Sequence, residues 1–383
     1  MKHDGCKKLL LLFLLLAICA CSSGKKRQYK VREAKFSKVE YNQILGWNAD
    51  HHLVSLNTFA NSCKAIMKKK DSNPISTLTS VGGKAVNWKV ICEDLRRKKD
   101  ALKTNIDARR FFEKWFTPYK VLDGESSALG KFTGYYEIEL NGSLHKTPKH
   151  KYPVYAPPKD LVIHKGKSYL SHPSINNGSL QGKNLEFVWV DNHAKLKFMH
   201  IQGSGRIRLT TGQLMRVGYG GQNGFDYTSI GPYFKHHGAK GIDSALDMME
   251  WIEKNPKIGK KILEYNKSYV FFKTIDGLGP IGAQGVALTP ERSLAIDSGI
   301  YPYGTPAWIE TYLPKTRSYL QRHYRRLFIA QDTGGAIKGA IRGDIFFGHG
   351  TRAEELACYM NKKGKMYALF PKSVAIPTTY RTK

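Results

Sequence analysis

Apolar positions change their spacing along this chain. Across residues 50–66, and again across 87–117, they recur at the interval of an amphipathic helix. Ala108, Phe111, Phe112, Trp115 and Phe116 form the clearest set, and Pro118 reads as its terminator. From Phe132 onward the apolar residues come in short runs, at 152–155, 187–190 and 198–201, cut by glycine and proline. Such runs read as strands. A helix is expected over 244–253, stopped by Asn255-Pro256, with strands again at 269–272 and 307–310. Short strands with this punctuation favour barrels over a doubly wound parallel sheet, so the fold class is mainly β with accessory helices. No internal repeat is visible. A chain of 383 residues exceeds one typical domain, so two are expected.

The N-terminus has its own pattern. Lys2, Lys7 and Lys8 precede an apolar run from Leu9 to Ala20. The run is too short for a comfortable transmembrane helix and reads as a secretory signal over 1–20. It ends Ile18-Cys19-Ala20-Cys21, and a small residue directly before cysteine resembles a bacterial lipobox. Cleavage before Cys21 would leave a thiol for acylation, and two or more acyl chains make a stable anchor. Ser22 and Ser23 resemble the flank of outer-membrane lipoproteins, since an aspartate there usually signals inner-membrane retention. The polar, basic stretch 21–40 reads as a lipidated tether.

A formal net charge of +30 favours anionic partners. Nucleic acid is the first class to consider, but a secreted chain does not meet it, and no RRM, OB or helix-turn-helix pattern occurs. The basic clusters at 68–70, 96–99 and 362–365 are dispersed, as solvated faces are. Of six cysteines, Cys6, Cys19 and Cys21 belong to the leader, leaving Cys63, Cys92 and Cys358. An oxidising compartment permits a bridge, while buried free thiols fit as well. No CxxC or HExxH spacing supports a metal site, and no cofactor motif is present.

The densest chemistry lies at 331–348. These eighteen residues hold Asp332, Asp344, five glycines, Lys338 and Arg342 between two apolar runs. Strands should therefore flank a glycine-rich turn that carries charge. Glycine lets a backbone approach a ligand closely. A carboxyl beside an apolar strand loses water, and its pKa rises toward that of a general acid. On residues alone, a polar hairpin with two capping aspartates fits this stretch equally well.

Resemblance separates the two. The stretch resembles the AQDTGGAIKG-x-x-R-x-D-x-F-x-G motif of the membrane-bound lytic murein transglycosylase A family. Phe132–Glu137 resembles its FTGYYE, and Gln202-Gly203-Ser204-Gly205-Arg206 its QGSGR. Segments at 217–219, 223–224, 227–231, 268–272, 279–283 and 292–297 follow in the family's order. The resemblance implies a double-psi β-barrel domain built from both chain ends, with a smaller β domain inserted and a groove between them. In these terms 41–138 is the helical part and barrel start, 139–273 the insert, 274–374 the catalytic barrel part, and 375–383 a tail. It also implies cleavage of peptidoglycan glycan strands between N-acetylmuramic acid and N-acetylglucosamine without water, leaving 1,6-anhydromuramoyl ends.

Such a reaction needs one acid-base residue, because the sugar's own C6 hydroxyl traps the oxocarbenium-like centre. Asp344 matches the catalytic aspartate and Asp332 its partner. Asp297 matches an aspartate expected to be structural. Lys338 and Arg342 are candidates for a lactyl or peptide carboxylate, or for an ion pair with Asp332 or Asp344. Gln202, Gly203 and Ser204 suit N-acetyl and hydroxyl groups. Tyr135 and Tyr136 could stack on sugar rings, with Tyr136 favoured for the groove. Cys63 and Cys92 match a cysteine pair of the family, so the resemblance implies a disulfide. Ile138, Ala287, Tyr303, Phe347, Cys358 and Ser171-His172 depart from the family pattern; none removes a carboxylate.

The implied protein is an outer-membrane lipoprotein facing the periplasm, held in lipid by acylated Cys21, with other cell-wall enzymes as candidate partners and no nucleic acid. Two alternatives keep the substrate: a hydrolytic muramidase and a non-catalytic peptidoglycan-binding lipoprotein.

Overall fold

The computed structural model describes residues 31–161, 168–277 and 279–382, so the signal segment and Cys21 lie outside the described residues. Residues from Arg32 onward form one compact unit. Strand β1 (Glu33–Lys38) leads to helices α1 (His52–Ile66), α2 (Ala85–Arg97) and α3 (Asn105–Trp115), then to β2 (Phe116–Asp123) and β3 (Gly130–Ser143). The middle of the chain supplies β4 (Tyr152–Tyr155), α4 (His172–Asn176), β5 (Glu186–Val190), α5 (His193–Gln202), β6 (Ser204–Leu209) and β7 (Leu214–Gln222). It continues with α6 (Gly231–His236), α7 (Ala245–Lys254), α8 (Pro256–Tyr265) and β8 (Val270–Thr274). The C-terminal part holds β9 (Ser293–Ala295), β10 (Pro306–Leu313), β11 (Arg322–Asp332), β12 (Arg342–His349), α9 (Thr351–Tyr359), β13 (Asn361–Pro371) and β14 (Thr379–Arg381).

Six of these strands close on themselves. β13 pairs with β10, β10 with β11, β11 with β9, β9 with β12, β12 with β3, and β3 with β13. Closure leaves no free edge in that ring. β2, β1 and β14 extend it outward from β13. A second sheet runs β4, β5, β3, β6, β7, β8. The long strand β3 belongs to both. Its first half pairs with β12 and β13, and from Ile138 onward it pairs with β6. The expected insert boundary at residue 139 thus falls inside one continuous strand. The fold is sheet-dominated with helices packed around it.

Helices α1, α2 and α3 cover the barrel through an aromatic core. Trp47, Phe59, Trp88, Phe112, Phe116 and Trp308 are all nearly inaccessible to solvent. A disulfide joins Cys63 of α1 to Cys92 of α2. Asp50, just before α1, meets Arg292 in a buried two-pronged ion pair, with N–O distances of 2.7 and 2.8 Å. The Leu327 N–H and the Ser55 hydroxyl complete its hydrogen bonding.

Several elements differ from expectation. The single helix expected over 87–117 is two. Thr104 caps α3 by accepting from the Asp107 N–H, while the Asp107 carboxylate accepts from the Thr104 N–H and hydroxyl. The apolar spacing survives the break, which hid it. Pro118 ends no helix, because it lies inside β2 opposite Leu369. Residues 198–201 are helical, not extended. Asn192 caps α5 by accepting from the Lys195 N–H, and Gly203 closes it at a φ of +78°. A four-residue apolar run fits either element, and the caps decide. The tether expected over 21–40 stops short of β1, where Ala34 and Phe36 alternate into the core. The expected tail holds β14, which pairs with β1. Helices α4, α6, α8 and α9 were not expected.

The Asp50–Arg292 pair makes the clearest stability prediction. Arg292→Met leaves a carboxylate buried without its counter-charge, and such losses cost about 3–5 kcal/mol. Urea unfolding should show that drop. The double variant Asp50→Leu/Arg292→Met should recover most of it; no loss in the single variant would show that the pair is dispensable, and an equal loss in both that an unpaired charge is not the cause.

Candidate active site

β9 is the key to how the site is assembled. It lies between β11, to which it is parallel, and β12, to which it is antiparallel. Ala295 of β9 faces Asp332 on one side and Asp344 on the other. Asp344 in turn pairs with Thr133 of β3, and Thr133 with Asn361 of β13. The two aspartates therefore stand in one row across the barrel wall, two strands apart. Neighbouring strands lie ~4.8 Å apart, so the two Cα atoms are separated by about 9–10 Å. Between them stands alanine, the smallest chiral residue.

The two carboxylates have different surroundings. Asp344 accepts one hydrogen bond, from the Thr133 hydroxyl. Burial pushes its carboxyl above the ordinary value of 3.8, and the charge of Asp332 adds to the rise. Thr133 and the Arg342 guanidinium oppose it. Asp332 accepts three hydrogen bonds of 2.9 Å each, from the Ala283 N–H, its neighbour Thr333 N–H and the Tyr135 hydroxyl. Burial raises its pKa too, and those three donors pull against the rise. Asp344 is thus the better proton carrier and Asp332 the better fixed charge.

Tyr135 links the pair. It stands on β3 two residues from Thr133, hence on the same face. Its ring tilts against Phe346 with centroids 5.2 Å apart. Burial and the Asp332 charge raise its pKa, so it remains a donor. Arg342 donates to the Thr133 hydroxyl at 2.9 Å, which leaves that hydroxyl's proton free to point at Asp344. Arg342 also grips the Gly343 carbonyl.

The remaining residues sort as follows. Tyr136, expected at the groove, is 3% exposed, and its hydroxyl donates to Glu354 of α9 at 3.0 Å. Alternation along β3 turns it away from Tyr135, so Tyr135 is the tyrosine of the carboxylate pair. Lys338 is exposed and its nearest carboxylate is Asp297 at 3.9 Å, not Asp332 or Asp344. Asp297 is fully buried and accepts from Arg32 Nε at 2.6 Å and from the N–H groups of Gly299 and Gly339. It fastens the glycine-rich turn to the start of the folded unit. Gln202 ends α5, and its side-chain oxygen accepts from the Tyr136 N–H at 3.3 Å. Gly203 forms the turn, and Ser204 opens β6 opposite Gly218.

Thr133, Ala283 and Arg32 were missed in the sequence. Thr133 had one usable signal, its place two residues before Tyr135 in an alternating strand. Ala283 acts through its backbone, and Arg32 is paired across 265 positions, so neither announces itself. A buried ion pair of Glu137 with Arg216, at 2.6 Å, also escaped notice; it sits where β3 passes from barrel to second sheet. Among the described residues no cluster of three or more His, Cys, Asp or Glu could hold a metal.

Known proteins resemble this chain in sequence and fold. The family profile described as the MltA specific insert domain matches residues 131–273, and that of the 3D domain matches 292–370. The membrane-bound lytic murein transglycosylase A of Vibrio cholerae is 31% identical over 243 residues, 62% of this chain and 64% of that protein. The sequence match thus spans just under two thirds of that relative's length. Structural likeness extends further. The crystal structure of MltA from Neisseria gonorrhoeae is 30% identical with a TM-score of 0.75, covering 90% of this chain and 94% of that one. The E. coli MltA structure with bound chitohexaose is 26% identical with a TM-score of 0.68, covering 88% and 94%. Motif order, family profiles and a shared fold over nearly the whole length lead to one conclusion: the chain belongs to the membrane-bound lytic murein transglycosylase A family.

Proposed function

We propose that this protein is a peptidoglycan lytic transglycosylase whose acid and base are one residue, Asp344. The observation that carries the reading is the unequal pair on either side of Ala295. Asp344, with a single side-chain donor and a raised pKa, starts protonated. Its carboxyl proton passes to the glycosidic oxygen between N-acetylmuramic acid and N-acetylglucosamine, and the C1–O bond breaks. Asp332, held by three donors, faces the oxocarbenium-like centre as a fixed negative charge. The C6 hydroxyl of the same sugar attacks C1, and its proton returns to Asp344. No water enters, no cofactor is used, and the acid is regenerated.

Asp332 has its oxygens engaged by the fold, which argues against its serving as the base that a hydrolytic muramidase needs. Arg342 is a positioning residue, acting on Asp344 through Thr133. The chitohexaose bound in the E. coli relative supports a glycan strand as the substrate. For this chain we read the six-stranded ring as a double-psi barrel. The insert spans about 139–273, and the glycan lies in a groove between the two. Gln202, Gly203 and Ser204 border that groove, Tyr135 stands at the reacting sugar, and Lys338 lies at the rim.

The protein works at the cell envelope, as the relatives' description as membrane-bound supports. Acylation of Cys21 fixes it to the outer membrane. Cys21→Ser should move the protein to the soluble fraction in spheroplast fractionation. Retention in the membrane pellet would rule the anchor out.

Asp344→Asn should release no 1,6-anhydro ends from murein sacculi, a loss of at least ~100-fold as expected for a missing general acid. Asp332→Asn should retain more activity. Mass spectrometry of the products decides, and reducing muramic ends would replace this reading with hydrolysis. Near-wild-type turnover by Asp344→Asn would overturn the assignment.

The raised pKa of Asp344 also predicts a stability signature. A carboxyl whose folded-state value lies above its unfolded value costs stability when ionised, so its burden grows as pH rises above 3.8 and is full only above the raised value. Asp344→Asn should therefore melt no lower than wild type at neutral pH. Its relative advantage should shrink as pH falls through the raised value toward 3.8. A pH-independent difference in Tm would contradict the shift.

A further inference from the structure

Beside Asp332 lies a cavity of about 680 Å³ that the mechanism above does not use. Lys64, Lys68 and Lys69, from the end of α1 and the turn beyond it, line it together with Leu78, Tyr303 and the loop 283–287. Its lining holds three lysines and no aspartate or glutamate. Lys64 donates to the Asn61 side-chain oxygen at 2.9 Å, while Lys68 and Lys69 form no ion pair among the described residues. Uncompensated charges of one sign on a concave wall focus a positive potential into it. A larger cavity of about 750 Å³, walled by β4, β5 and α8, differs in this respect: Lys146, Lys151 and Lys260 share its lining with Glu186, Asp191 and Glu253.

The lysine cavity is joined to the carboxylate site by one loop. The Ala283 N–H holds Asp332, and the Gln284 N–H bonds the Gln331 carbonyl at 3.0 Å. The Gln284 side-chain oxygen accepts from Ser62 of α1. Tyr303 contacts Ser298 and Thr333, the residue next to Asp332. One face of the loop therefore steadies Asp332 while the other lines the cavity. Two of this chain's departures from the family pattern, Ala287 and Tyr303, stand in this lining.

We infer that the cavity is a subsite for the free carboxylates of the peptide carried by the muramic acid at the cleaved bond. This rests on the transglycosylase reading and extends its substrate from glycan to peptide-bearing glycan. With its lactyl group tied up in the amide to the peptide, the glycan backbone offers N-acetyl and hydroxyl groups but no charge, so it leaves three ammonium groups without counter-charge. A peptide branching from the sugar next to Asp332 brings carboxylates to that side. Tyr303 and Leu78 supply apolar surface for its side chains.

The test uses the charge-reversal variant Lys64→Glu/Lys68→Glu in the full chain, both residues being exposed and outside the catalytic pair. Dissociation constants are measured for soluble glycan strands carrying stem peptides and for chitohexaose, which carries no carboxylate, alongside release of anhydro ends. We expect affinity for peptide-bearing strands to fall roughly five- to tenfold, with chitohexaose unaffected. The difference should fade at about 0.5 M salt. Lys64→Gln/Lys68→Gln, which keeps helix-compatible side chains, should give a smaller loss in the same direction and serves if charge reversal disturbs folding.

Equal losses on both substrates, or none on either, overturn the proposal. So does a loss confined to retention on anionic phosphatidylglycerol vesicles, which would assign the lysines to lipid. The binding readout is independent of catalysis. Absence of anhydro ends from wild-type protein would sink the transglycosylase reading and leave the affinity comparison to judge the subsite.

Discussion

One strand constrains the rest of the molecule. β3 runs for fourteen residues and serves two sheets, closing the barrel with its first half and centring the second sheet with its last. Tyr136 stands at the changeover without a ladder partner in β12 or β6, and Glu137 beside it meets His349 of β12 only after a register shift. Side chains fill that gap. Gln202 accepts from the Tyr136 N–H, and Arg216 neutralises the buried Glu137. A ladder interrupted at its midpoint would otherwise leave buried polar groups unpaired. Because the strand is continuous, Thr133 and Tyr135 on the barrel side are tied rigidly to Ile138 and the β6 pairing on the other. A residue of β3 moves relative to the carboxylates only if both sheets move.

The same economy governs the carboxylates. Two like charges in a partly buried wall repel, and no cation touches either directly. Separation by one intervening strand weakens the repulsion, and the hydrogen bonding of the two is unequal. Asp332 draws on two backbone N–H groups, which no side-chain substitution removes. Asp344 depends on Thr133, whose hydroxyl is itself oriented by Arg342. The surroundings of Asp332 are thus set mainly by the backbone, and those of Asp344 by side chains.

The legibility of this chain followed the range of each interaction. Strands β10, β11 and β12 of the barrel, the capped helix α7 and the charged glycine-rich stretch were readable because apolar periodicity and turn residues act locally. The break between α2 and α3 was not, since the aromatic spacing continues across it. Residues 198–201 misled for a similar reason: the deciding caps, Asn192 and Gly203, lie outside the apolar run. Asp332 and Asp344 could be named from motif resemblance, but their common row across Ala295 depends on strand pairing, which single-sequence patterns do not encode. Tyr136 was preferred over Tyr135 because adjacent residues in a strand cannot be told apart by composition. Only the burial of one face separates them.

Arg32 shows why the N-terminal edge is more than a tether. Its guanidinium reaches the fully buried Asp297, whose oxygens also hold Gly299 and the Gly339 N–H. Its backbone exchanges hydrogen bonds with Thr382 at the other end of the chain. The first residue of the folded unit is therefore fastened both to the C-terminal strand and to the glycine-rich turn between Asp332 and Asp344. Loss of Arg32 would leave Asp297 buried with its remaining donors but without a close counter-charge, since Lys338 stands 3.9 Å away and exposed. A glycine-rich turn has little conformational preference of its own. Its shape comes from what grips it, and here the grip begins at the point where the polypeptide enters the fold.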